Sequence, residues 1–104
     1  MYLAIADDGV ALRLPEVVTD LYASYRQRLT QERLAAVLAE NDAGELSEDG
    51  AHVMIPVATL RRLAAGRVPE GWDADFDGML AYARTKGWLS EEGDAVRAHL
   101  ERER

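Results

Sequence analysis

Cysteine is absent from the sequence, and lysine, phenylalanine and proline are scarce, with one Lys, one Phe and three Pro in 104 residues. The absence of cysteine excludes disulfides, thiolate zinc ligands and cysteine nucleophiles. No stretch approaches the roughly 18 consecutive apolar residues of a membrane-spanning helix. Residues 1–8 carry no basic flank ahead of an apolar run, so they do not resemble a signal peptide, and we expect a cytoplasmic protein.

The length and charge of the chain narrow the range of functions. A chain of 104 residues has the size of one domain with its own core, so we expect a single domain over 1–104. Its formal net charge is −7. This charge disfavours non-specific binding to nucleic acid or to an anionic membrane.

A short acidic turn occurs three times. Two acidic residues precede the glycine at Gly9, Gly50 and Gly93, and apolar residues follow three and five positions later in each copy. Glycine accepts the positive φ of a tight turn, and residues two apart share one face of a strand. The pattern predicts three short β-hairpins, although acid-acid-glycine is also ordinary surface-loop composition. The predicted hairpins cover 2–14, 45–55 and 88–101.

The segment between the first two turns has helical spacing. Pro15 stands where a helix can begin, and an apolar stripe follows it. The stripe comprises Val18, Leu21, Tyr22, Tyr25 and Leu29. Beyond Leu29 the apolar positions move to the far side, at Leu34, Val37 and Leu38. Either the helix breaks near Thr30, which can cap a second helix over 31–42, or one helix spans 16–42 with two apolar faces.

Two apolar faces on one helix would indicate an interaction surface, because a single small core cannot cover both. We therefore expect a protein partner or a second copy of the chain in a homodimer. The candidate interaction residues are Tyr22, Tyr25, Leu34 and Leu38.

The second half of the chain predicts two further helices. One covers 57–65 and ends at Gly66, and the other covers 73–86, begins with Asp73 as cap and ends at Gly87. Together with the hairpins, this predicts a small α+β domain with three or four helices.

Asp73, Asp75, Asp77 and Gly78 resemble the first half of an EF-hand calcium loop. The twelfth position of that loop should be a bidentate glutamate and is Arg84 here. Acidic residues in the first turn of a helix also complement its dipole. We therefore expect a helix start, and no bound metal or cofactor.

Residues 57–101 have the order helix, helix, hairpin, which matches a winged helix-turn-helix. The presumed reading helix begins with three aspartates, and the presumed wing carries acidic residues, which disfavours DNA contact. A winged-helix transcription regulator is therefore the alternative function. Under that alternative, the nucleic-acid-binding residues are Arg61, Arg62, Arg67, Arg84 and Lys86.

Signals for catalysis are weak. His52 and His99 fall at polar positions of different predicted hairpins, and two histidines lack a third metal ligand at readable spacing. No phosphate-binding glycine loop is present. The leading functional hypothesis is a non-catalytic interaction or regulatory protein.

Overall fold

The computed structural model describes residues 1–103 and folds them into one six-stranded sheet with three helices. The predicted mixed α+β class is confirmed. The strands are β1 (Tyr2–Ala6), β2 (Gly9–Arg13), β3 (Tyr22–Tyr25), β4 (Glu45–Leu46), β5 (His52–Pro56) and β6 (Ala95–Arg102). The helices are α1 (Gln31–Glu40), α2 (Val57–Ala64) and α3 (Trp72–Thr85). Within the described residues, no helix has the length and apolar content needed to cross a membrane.

The sheet has the strand order β2-β1-β3-β6-β5-β4. Its three central strands, β1, β3 and β6, lie parallel to one another, and the remaining pairs are antiparallel. Parallel neighbours require long crossovers. The connection from β3 to β6 therefore carries all three helices and both strands of the far edge.

One face of the sheet forms the core. Apolar residues alternate along the strands, as in Leu3 and Ile5 of β1 and Val96, Ala98 and Leu100 of β6, and they are buried on one side. Helix α1 packs on β1, β2 and β4, and α2 packs on β2 and β5. Phe76 and Ala83 of α3 join the same buried cluster.

The helix predicted from residue 16 is wrong in its first half. Residues 22–25 form β3, which pairs in parallel with β1 on one side and β6 on the other. The apolar spacing from Val18 to Leu29 is coincidental, because these residues belong to a loop, a strand and a second loop. Pro15 begins no helix, and Leu14 before it has a φ of 51°.

Of the two alternatives for 16–42, the single helix is wrong, and the separate helix that begins after Thr30 is present as α1. The Thr30 hydroxyl accepts a 3.1 Å hydrogen bond from the Arg33 amide, as expected of a helix N-cap. Helix α1 ends in a Schellman motif, in which the Ala43 amide donates to the Leu38 carbonyl at 2.8 Å and Asp42 has a φ of 52°. The apolar face of α1 is buried against the sheet.

The two C-terminal helices lie within one residue of their predicted bounds. Asp73 is not the cap of α3, however. Gly71 occupies the N-cap position with a φ of 88°, and Trp72 is the first helical residue. The start shifts because the Trp72 ring is buried and stacks on Phe76, 4.6 Å away.

Two of the acidic turns close with the same hydrogen bonds. The Ser47 amide donates to the His52 carbonyl at 2.9 Å, and the Ser90 amide donates to the Ala95 carbonyl at 2.8 Å. The His52 amide in turn donates to the Ser47 hydroxyl at 3.1 Å, and the Ala95 amide donates to the Ser90 hydroxyl at 3.0 Å. The turn glycines have φ values of 149° at Gly9, 71° at Gly50 and 78° at Gly93.

The three-hairpin detail and the winged-helix arrangement are not confirmed. At the third turn, only a single bridge joins Leu89 to Val96. The strand that would form the wing is β6, which lies in the centre of the sheet between β3 and β5. A central strand buried on one face cannot project as a wing.

Candidate functional site

The face of the sheet opposite the core is the candidate site, and we call it the open face. Its residues alternate with the buried ones and are half-buried or exposed. One row crosses five strands in register: Arg13, Tyr2, Tyr22, His99 and His52. Each of these residues can be read from the sequence, but only the strand order shows that they lie side by side.

Tyr2 and Tyr22 stack at the centre of this row. Their ring centroids are 5.0 Å apart and their planes differ by 13°. Desolvation raises the pKa of Tyr22 above its ordinary value, and Tyr2, Glu101 and Asp20 raise it further. Tyr22 therefore keeps its hydroxyl proton at neutral pH and can donate a hydrogen bond.

His52 and His99 face each other on β5 and β6. The Leu100 amide donates to the Ala51 carbonyl, which makes the histidines a non-hydrogen-bonded pair, where side chains lie closest. Their ring centroids are 5.9 Å apart in an edge arrangement. The sequence placed the two histidines on different hairpins, and the register of β5 against β6 brings them together.

A groove of about 930 Å³ lies over one end of this row, on the strands β2, β1, β3 and β6, and its lining includes Arg13, Tyr2 and Tyr22. Within the described residues, no helix residue lines it. Small side chains of Ala4, Ala11 and Ser24 contribute to its lining. Charges of both signs lie around it, from Arg26 and Glu103 among others, and these two form a 3.5 Å ion pair.

The predicted interaction residues do not form one surface. Tyr22 lies on the open face, whereas Tyr25 packs partly against the core. Leu34 and Leu38 are 2 % and 0 % exposed and lie beneath α1. The two leucines are therefore core residues, because α1 has one apolar face and the sheet covers it.

The basic residues of the DNA-binding alternative are largely engaged within the chain. Arg61 pairs with Asp73 at 3.2 Å and with Asp77 at 2.6 Å. Arg62 donates to the Asn41 carbonyl and Arg67 donates to the Leu12 carbonyl. The Lys86 ammonium lies over the Tyr82 ring. Arg84 lies in the last turn of α3.

The acidic residues that resemble a calcium loop lie on α3. Asp73 and Asp75 fall in its first turn, where acids complement the helix dipole. Asp73 and Asp77 share one face of α3, where both pair with Arg61, and Asp75 lies on the opposite side, so the three carboxylates do not surround one ion. In residues 1–103, no group of three His, Asp or Glu side chains is placed to hold a metal.

No protein-family model, curated protein or solved structure matches the chain.

Proposed function

We propose that the chain is a non-catalytic interaction domain that binds a protein partner on the open face of its sheet. The groove beside Tyr2 and Tyr22 carries this proposal. It replaces the two-faced helix as the reason for expecting an interaction, because Leu34 and Leu38 belong to the core.

The strand directions support a covered face. Sheets of parallel strands are usually buried on both sides, whereas antiparallel sheets often expose one. Here β1, β3 and β6 are parallel neighbours, yet the groove over them is lined by strand and turn residues alone. A partner bound there would cover the open face of the sheet, as the helices cover the other face.

The groove suits a polypeptide. Ala4, Ala11 and Ser24 leave room for a main chain to lie close to the sheet, and the stacked tyrosines offer flat apolar surface with hydroxyl donors. Tyrosine is among the residues enriched at interfaces. Charges of both signs at Arg26 and Glu101 favour a partner of mixed charge over a polyanion.

A matched pair of substitutions tests the proposal. Ala4→Arg places a long side chain in the groove, and Ala35→Arg places the same side chain on the exposed side of α1. Tagged wild-type chain and both variants are used to recover partners from the cells that make the protein. We expect a partner that binds the wild type and Ala35→Arg but not Ala4→Arg.

Light scattering of the same three proteins identifies a self-partner. A wild-type dimer that Ala4→Arg converts to a folded monomer makes a second copy the occupant. A monomeric wild type with no partner sensitive to Ala4→Arg would overturn the proposal.

A further inference from the structure

We infer that a second cavity, beside β6, binds a small organic anion with a flat apolar body. The cavity has a volume of about 400 Å³, which falls in the usual range of small-molecule sites. It is separate from the groove, and its lining comes from α3, the segment after α3, β5, β6 and the loop before β3. The inference does not depend on the proposed protein interaction.

The cavity arises from a gap in the sheet. Val96 of β6 pairs with Ile55 of β5 on one edge, so its bridge to Leu89 must use the other edge. That other edge is also the one that β3 occupies further along, from His99 onward. Residues 88–89 and β3 thus share one edge of β6 and leave a break between them, and the cavity lies there.

One wall of the cavity is apolar and aromatic. Met79, Tyr82 and Ala83 of α3 line it together with Trp88. Tyr82 and Trp88 are 56 % and 38 % exposed, and their ring centroids lie 6.0 Å apart. Exposed aromatic side chains at a cavity can stack on a flat ligand, and such contacts add to the free energy of apolar burial.

The strands β5 and β6 contribute nitrogen donors to the cavity. Arg97, His52 and His99 line it, and Arg97 forms no ion pair with any side chain in residues 1–103. A free guanidinium pairs readily with a carboxylate, often through two hydrogen bonds. Asp20 is the acid in the lining, and it lies near the Met1 ammonium, which offsets its charge.

The aromatic wall and the free arginine together define the ligand class. Apolar and aromatic side chains bind the body of the ligand, and Arg97 binds its anionic group. The probe for this class is 2-naphthoate, and 2-naphthalenemethanol is its uncharged counterpart. Calorimetry measures their affinities, and amide and indole NMR shifts locate the binding site.

We expect saturable binding of 2-naphthoate with shifts at the Trp88 indole and at Tyr82. Arg97→Gln should weaken the binding of 2-naphthoate about tenfold, because one charged hydrogen-bonding partner is lost. The same substitution should leave the alcohol's affinity unchanged. Arg13→Gln, which removes an arginine of the open face outside the cavity, is the matched control and should have no effect.

Trp88→Ala provides a second test, because it removes one of the two aromatic rings of the apolar wall without changing charge. The substitution should weaken the binding of both 2-naphthoate and 2-naphthalenemethanol. The inference is overturned if naphthoate fails to bind at about 5 mM, if its shifts map to Tyr2 and Ala4, or if Arg97→Gln affects the acid and the alcohol equally.

Discussion

The indole nitrogen of Trp72 donates a 2.6 Å hydrogen bond to the carbonyl oxygen of Pro15, 57 positions earlier in the chain. Both residues are buried. The bond ties the first turn of α3 to the loop that connects β2 to β3. Since that loop must carry the chain back to pair β3 in parallel with β1, this contact helps to fix the centre of the sheet.

Trp72→Phe should therefore destabilise the protein. The substitution keeps an aromatic ring next to Phe76 but leaves the Pro15 carbonyl without its donor. An unmet buried acceptor costs about 1–3 kcal/mol, and the smaller ring adds a packing loss. Urea denaturation followed by circular dichroism measures the change. Trp88→Phe is the control, because Trp88 is partly exposed, and an equal loss in both variants would contradict the role assigned to the bond.

Local signals predicted the bounds of α2 and α3 to within one residue and the cap of α1. Thr30 as an N-cap, Gly66 and Gly87 after the last helical turns, and the apolar stripes of α2 and α3 all act within a few residues. Residues 22–25 could not be assigned in this way. Their apolar spacing fits a helix, and they become a strand only because β1 and β6 pair with both of their edges.

Gly44 shows a different constraint, which comes from close packing of the backbone. Its φ is 117°, and a Cβ built there would lie 1.9 Å from the Met54 carbonyl oxygen. Gly44→Ala should cost more than about 2 kcal/mol, because the pairing of β4 with β5 must give way.

Gly66→Ala is the matched control for Gly44→Ala. Gly66 also has a positive φ, 76°, but nothing lies within 4 Å of a Cβ there. Its substitution should cost only the conformational strain, about 1 kcal/mol. Thermal and urea unfolding of both variants give the comparison, and equal losses would show that conformation alone governs Gly44.

The hydrogen bonds of Asp49 make the free energy of unfolding depend on pH in the acidic range. The Ser47 hydroxyl and the Ala51 amide donate to its carboxylate at 2.6 and 3.0 Å, and they lower its pKa below the ordinary value of 3.8. A lowered folded pKa contributes stability that is present above the unfolded value and is lost as the pH falls through the folded value. Asp49→Asn should therefore reduce the loss of stability below about pH 4.

The control for Asp49→Asn is Glu48→Gln in the same turn, since the Glu48 side chain accepts no hydrogen bond from residues 1–103. Free energies of unfolding from urea titrations between about pH 2.5 and 7 test this. The expected result is a shallower acid slope for Asp49→Asn and the wild-type slope for Glu48→Gln. Matching slopes in the wild type and Asp49→Asn would contradict the prediction.

The candidate site was less predictable than the fold. Alternation along β5 and β6 put His52 and His99 on polar positions correctly, yet their contact depends on a strand register that pairs residues 47 positions apart in the sequence. The sequence pattern predicts a helix at Tyr22, but Tyr22 lies on the open face of a strand. Sequence periodicity shows which residues avoid the core, but not which of them meet.

Leu38 and Tyr22 provide the sharpest test of which surface is free. Leu38 is 0 % exposed beneath α1, whereas Tyr22 lies on the open face. A charge buried without a partner costs several kcal/mol, so Leu38→Glu should unfold the chain, alone or together with Leu34→Glu. Tyr22→Glu loses the stack on Tyr2 but remains solvated, so it should stay folded with dispersed amide NMR signals. If the leucine variants instead gave a folded monomer from a wild-type dimer, α1 would not pack on the sheet, and the interaction surface would have to move back to the helix.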